Sequence, residues 1–137
     1  MILIVCVDNQ NGMLFNHRRQ SQDRALRARI LARSAHSRLW MNAYSAKQFD
    51  PTAPQVTVSE AFLSQATAGE YCFLENTDPA PCLDRLEQVI LYRWNRDYPA
   101  DVRFTLDLSG FRLHQRVDFA GSSHETITEE IYIPCEN

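Results

Sequence analysis

Ile2-Leu3-Ile4-Val5-Cys6-Val7, halted by Asp8-Asn9-Gln10-Asn11-Gly12, decides how the rest of the chain is read. Six successive apolar residues rich in β-branching, ended by a turn-forming polar cluster, predict a central strand buried on both faces. A strand of that kind needs helices above and below its sheet. The chain supplies them in alternation. After a loop over 13–20, Ser21 is the expected cap of a helix whose first turn contains Asp23, with Leu26, Ile30 and Leu31 turned inward. Arg24, Arg27, Arg29 and Arg33 are expected to face mostly away from the core. Strand character returns at 37–42, followed by a short helix over 43–49 and the proline-broken link Asp50-Pro51-Thr52-Ala53-Pro54.

Farther on, 55–58 predicts a brief strand, and Ser59 caps a helix through Ala66 that ends at Thr67-Ala68-Gly69. A buried strand follows over 70–74. Asp78-Pro79-Ala80-Pro81 opens a helix to about Glu87, because proline is tolerated only in a first helical turn. The next strand is 88–94. Three strand-like segments close the chain, at 102–108, 111–120 and 126–134, the first two joined by the hairpin signal Ser109-Gly110. The order predicts an α/β fold with a central mixed β-sheet, mostly parallel with an antiparallel C-terminal edge and helices on both faces. Its 137 residues and 45% hydrophobic content suit a single domain, 1–137.

No apolar run reaches the roughly 18–20 residues that span a bilayer, and Met1–Val7 lacks the basic start and length of a signal peptide. A soluble, cytoplasmic protein without membrane partners is expected. Cys6, Cys72, Cys82 and Cys135 have neither zinc-ligand nor disulfide-framework spacing, so buried free thiols are expected and no metal site is signalled. The net charge of −3 conceals an asymmetry: the first fifty residues carry eight cations and three acids, the remainder six and fourteen. Thirteen of the fourteen cations are arginine, which forks onto carboxylates and phosphates alike. These arginines either pair with the acidic remainder or offer a surface to an anionic partner.

Several short motifs, taken in order, carry a resemblance. Leu3–Asp8 followed by Asn11-Gly12, Asp23 near a helix start, Trp40-Met41-Asn42-Ala43-Tyr44-Ser45, Leu91-Tyr92-Arg93, Asp101-Val102-Arg103-Phe104 and Ser123-His124 together resemble the dihydrofolate reductase family. The likeness extends with gaps over most of the chain. It implies a pocket near Asp23, Tyr44, Asn76 and Tyr92, with Asp23 at the family's pterin-binding acidic position. Asp23 then either binds an amidine-like edge and relays a proton, or serves its helix as a dipole-stabilising group.

The departures from the family concern its cofactor. Two adjacent glycines that would let backbone approach the NADPH phosphates read Glu75-Asn76. The Gly-Arg pair that would clamp phosphate reads Asn42-Ala43, although Ser45 keeps a hydroxyl. A strand bearing adenosine-side contacts is missing between Phe49 and Gln55. Where the family loop commonly has Pro-Trp, this chain has Arg18-Arg19-Gln20. A Cβ obstructs close approach and a carboxylate repels pyrophosphate, so no cofactor is expected and NADPH binding is not.

The expected function is therefore that of a catalytically degenerate, dihydrofolate reductase-like module binding a small molecule or a protein. Two alternatives stay open. One is pterin or nucleotide chemistry with a different donor; the other is a small nuclease or RNA-binding protein. For the latter, His17 and His124 would act as acid and base on a phosphodiester, with Arg18 and Arg19 balancing phosphoryl charge. Tyr92 and Trp94, between arginines, would stack bases or simply line one face of a strand.

Overall fold

The computed structural model describes residues 1–135. Strand β1 (Ile2–Val7) occupies the centre, as its apolar run requires, with Leu3, Ile4, Val5 and Val7 wholly buried. Two short strands follow, β2 (Gly12–Phe15) and β3 (Arg18–Arg19), then helix α1 (Arg24–Arg33), β4 (Leu39–Met41), helix α2 (Ala43–Ala46), β5 (Val56–Val58) and helix α3 (Phe62–Gln65). The remainder comprises β6 (Tyr71–Phe73), a 3-10 helix (Ala80–Arg85), β7 (Gln88–Arg93), β8 (Val102–Arg103), β9 (Phe111–Phe119) and β10 (Ile127–Pro134).

Seven strands form one sheet in the order β5-β4-β6-β1-β7-β10-β9. Pairing is parallel from β5 to β7 and antiparallel where β10 meets β7 and β9. The strand period of two divides β1 between two cores. Leu3, Val5 and Val7 meet Phe62, Ala66, Leu86 and Phe104 on one face, while Ile2 and Ile4 meet Leu26, Ile30, Phe49 and Ile127 on the other. Burial of each such side chain contributes about 1.5–3 kcal/mol, which makes this two-sided strand the main anchor of the fold. Helices cover both faces, α1 on the second and α3 with the 3-10 helix on the first.

Local details depart from the sequence reading in several places. The expected loop over 13–20 is a hairpin, β2 on β3, turned through Asn16 and His17 with φ of 53° and 64°. Two positive-φ residues between paired strands are the signature of a type I′ turn, whose twist suits a tight hairpin. β8 pairs with β2 rather than with β9, so the Ser109-Gly110 hairpin does not form. The turn itself forms, with the Phe111 amide donating to the Leu108 carbonyl at 2.9 Å, but Leu106, Leu108 and Phe111 lie against the first core and the segment before the turn does not pair with β9. Asp23, not Ser21, caps α1: its φ and ψ are −152° and 126°, and its carboxylate accepts from the Leu26 amide. The segment from Asp78 is a 3-10 helix, and α3 is a single turn without a side-chain cap.

Arg29 and Arg33 correct the expectation that the α1 arginines face away. Both reach back to Glu129 on β10, which is fully buried and also accepts from the Tyr92 hydroxyl at 2.8 Å. Cys72 and Cys82 are buried and Cys135 is exposed; the four cysteines are free thiols. Among the described residues no helix is long and apolar enough to cross a membrane.

Candidate functional site

In a parallel sheet, backbone and side chains converge beyond the carboxyl ends of the strands, where ligands bind in open α/β folds. Here β1, β4 and β6 end beside one another, and the residues that follow them meet the β2–β3 hairpin and the start of α1. The cleft between these elements is nearly filled. A cavity of about 20 Å³ remains, lined among others by Cys6, Arg19, Asp23, Ile30, Phe73 and Glu75. That is room for about one water.

The filling is a charged cluster. Arg19 Nε donates to Glu75 Oε2 at 2.9 Å and Arg19 Nη2 to Glu75 Oε1 at 3.1 Å, a two-pronged ion pair. The same Nη2 donates to the Tyr44 carbonyl at 3.2 Å, the Tyr44 ring lies 4.3 Å beneath the guanidinium carbon, and the Arg19 amide donates to the Tyr44 hydroxyl. Glu75 Oε1 accepts further bonds from Ser45 Oγ at 2.8 Å and Gln48 Nε2 at 3.1 Å. Burial works against the charge on Arg19, but the hydrogen bond and attraction from Glu75 outweigh it and hold the guanidinium's pKa above its ordinary value. Burial, followed by the Glu75 charge, pushes the Cys6 thiol well up, so it is no ready nucleophile.

The altered positions of the two glycine-bearing motifs answer each other across the cleft. Asn42 Nδ2 donates to Asn76 Oδ1 at 2.7 Å, while Asn42 Oδ1 caps α2 through the Ser45 amide. Thus Asn42 meets Asn76 and Ser45 meets Glu75.

A second cluster surrounds Asp23. Its carboxylate accepts from the amides of Leu26, Ser122 and Ser123 and from both serine hydroxyls, and lies 3.0 Å from His124 Nδ1. Desolvation alone would raise its pKa; the Ser122 and Ser123 amides, His124 and the Leu26 amide reverse that and hold it well below the usual carboxylate range. On the other side of the imidazole, Nε2 lies 3.1 Å from Ser21 Oγ and 3.0 Å from the Tyr98 hydroxyl, and Trp94 stacks on the ring at 4.5 Å.

Asp23, His124 and Ser21 have the hydrogen-bond order of a serine nucleophile relay. Among the described residues its other parts are engaged elsewhere. Ser21 shares Nε2 with Tyr98, and the helix-start amides that would hold an oxyanion are engaged, those of Arg24 and Ala25 with Ser122 and that of Leu26 with Asp23. The cluster fastens the 121–124 loop to α1.

The sequence-expected residues therefore divide. Asp23 and Tyr44 stand at the cleft, though both are already bonded to protein. Asn76 faces an adjacent hollow of about 260 Å³ lined also by Met13, Pro79, Arg103 and Phe104. Tyr92 is not a pocket residue: its side chain is wholly buried and its hydroxyl is committed to Glu129. His17 and Arg18 are exposed on the hairpin, whereas His124 is buried against Asp23, so they do not form the shared acid–base pair. Ser45, Gln48 and Glu75 as a set were missed. The sequence reading gives Glu75 the loss of a glycine and the repulsion of pyrophosphate, and gives Arg19 the balancing of phosphoryl charge; a carboxylate at a strand end with an arginine in the opposing loop is the sequence signal that would find the pair.

Among the described residues, no group of three or more histidines, cysteines or acids comes together as a metal site. No protein-family model matches the chain, and no curated protein matches it by sequence. Among solved structures it is similar to dihydrofolate reductase from Enterococcus faecalis, complexed with NADP(H) and RAB-propyl. The TM-score is 0.70 at 11% identity, over 98% of this chain and 96% of that one. With a central strand, parallel core, antiparallel C-terminal edge and helices on both faces, the chain has the dihydrofolate reductase fold.

Proposed function

We propose that this chain is a catalytically degenerate protein of the dihydrofolate reductase fold, acting as a small-ligand-binding module rather than a reductase. The observation that carries this reading is the Glu75 carboxylate. It stands at the end of β6, where the family brings bare backbone to the cofactor phosphates, and it is bonded to Arg19, Ser45 and Gln48. NADPH does not fit these residues. The Cβ atoms at 75 and 76 keep the backbone from the phosphates, and the Glu75–Arg19 ion pair fills the space that a pyrophosphate would need. Asn42-Ala43 brings no guanidinium to clamp phosphate, and Arg19 is already engaged with Glu75.

Asp23 supports the same reading. A carboxylate already accepting from so many protein donors, and held ionised, has neither free lone pairs for a pterin edge nor a proton to relay. The arginine-rich first third favours ligand over nucleic acid: Arg19, Arg29, Arg33 and Arg38 are paired with Glu75, Glu129 and Glu70. Thermal unfolding with NADPH, with dihydrofolate and with both, alongside NADPH oxidation, tests this. No saturable shift with NADPH and no oxidation are expected. A saturable NADPH shift overturns the reading.

A further inference from the structure

We propose that Glu75, Tyr44, Ser45 and Gln48 form a receptor for a guanidinium or amidinium group on a small molecule, and that Arg19 occupies it as an internal stand-in. This assignment rests on the reading of the cleft as a ligand site and names the chemistry of the ligand.

The receptor is built without Arg19. Ser45 Oγ and Gln48 Nε2 fix Glu75 Oε1 from the α2 side, and Ser45 is held in turn by the Asn42 cap. If Arg19 left, the carboxylate would keep its orientation. It would not tolerate vacancy, because the Glu75 side chain is only 10% exposed and an unpaired charge at that burial is costly.

The receptor also selects for shape. It offers two carboxylate oxygens to a fork, a carbonyl at Tyr44 to a third N–H, and an aromatic face 4.3 Å from the central carbon. A planar delocalised cation satisfies all of these together; an ammonium, a point charge with tetrahedral donors, does not.

Arg19 is held in a manner that permits exchange. β3 is two residues long, sits at the edge of the small sheet and is joined to β2 by two register pairs. Segments with so few backbone bonds open at low free-energy cost. When the side chain withdraws, its volume merges with the adjoining cavity, whose apolar wall includes Leu26, Ile30 and Phe73. That space suits one side-chain-sized stem, which is why the ligand is assigned as a small molecule. The incoming cation regains the bonds that Arg19 surrenders, so burial of its stem against opening of the hairpin sets the balance. An intramolecular competitor lowers apparent affinity by the fraction of molecules in which the receptor is free.

The test uses the full chain and methylguanidinium at millimolar concentration, with methylammonium as control. In Arg19→Ala, methylguanidinium should raise Tm saturably, with apparent affinity at least about tenfold above wild type. Methylammonium should give no shift, and Arg19→Ala with Glu75→Gln should lose the response. The absence of a methylguanidinium shift, or an equal one with methylammonium, overturns the proposal. Should Arg19→Ala not fold, the Arg19 Nε–H resonance of wild type decides: titration with methylguanidinium should move it, and an unmoved resonance overturns the proposal. No NADPH or folate is present, so failure here condemns the receptor, whereas NADPH turnover condemns the degenerate-site reading.

Discussion

His124 Nδ1 lies 3.0 Å from Asp23 Oδ2, and the contact joins residues 101 positions apart. Asp23 thereby does two jobs with one carboxylate: it caps α1, and it ties the loop before β10 to that cap. Ser122 and Ser123 complete the tie through their amides and hydroxyls. A carboxylate that the sequence reading offers to a ligand is here bonded to donors of the protein itself.

Replacement of Asp23 should consequently be a stability mutation. Loss of the cap alone costs about 1 kcal/mol. Donors left buried without an acceptor add about 1–3 kcal/mol each, although part of the loop can move to water. Asp23→Ala is expected to lower stability by about 3–5 kcal/mol, and Asp23→Asn by less, because one oxygen still accepts. Urea unfolding measures both; a wild-type midpoint for Asp23→Ala refutes the structural role.

The same carboxylate sets an acid limit. Asp23, Asp8 and Glu129 each have a folded pKa held below the ordinary value, burial being outweighed by hydrogen bonds from backbone amides at Asp8 and Asp23 and from Arg29 and Tyr92 at Glu129. A depressed folded pKa contributes stability that is complete above the unfolded pKa, near 4, and is lost as pH falls through the folded values. Unfolding free energy should be level from neutral pH to about 5 and fall below that. Asp23→Asn should make the fall shallower. An unchanged slope removes Asp23 as the source.

What the sequence revealed and what it hid follow from the range of the interactions. β1 and β7 were legible because burial on both faces leaves an uninterrupted apolar run, which needs no partner to be recognised. β9 has a different neighbour from the expected one because Ser109-Gly110 signals only the turn, which does form, while the packing of Leu106 and Leu108 on the first core that keeps the preceding segment from pairing is a tertiary fact. Arg29 and Arg33 read as a wet helix face since their acid, Glu129, lies about a hundred residues downstream. Asp23 was legible as important but not as spent, for its donors come from a loop that nothing nearby in sequence implicates. Glu75 was read for the close approach it forbids rather than for the arginine it holds.

The Glu129 network yields a graded prediction. Glu129→Ala leaves Arg29 and Arg33 without their acid and should cost about 3–5 kcal/mol. Tyr92→Phe removes one hydrogen bond from an otherwise satisfied carboxylate and should cost about 1–2 kcal/mol. Because both changes act on one network, the double variant should be less destabilised than the two losses added together. Additive losses in denaturant unfolding would show Tyr92 and Glu129 to be independent.

Gly121 tests the tie between loop and helix from the backbone side. A Cβ built there would lie 2.6 Å from Asp23 Oδ2 and 2.6 Å from the His124 carbonyl oxygen, and 3.0 Å from Ile127 Cδ1. The carbonyl belongs to the backbone of the loop, so relief requires the loop to move and its bonds to Asp23 to lengthen. Gly121→Ala is expected to cost about 1–3 kcal/mol. Gly110→Ala, where a Cβ would meet nothing within 4 Å, should stay within about 0.5 kcal/mol of wild type. The loss at Gly121 should also shrink in an Asp23→Ala background, because one clash and the bonds it strains are already gone. If it does not shrink, Gly121 is required by the path of the loop itself, and the approach to Asp23 follows from that path.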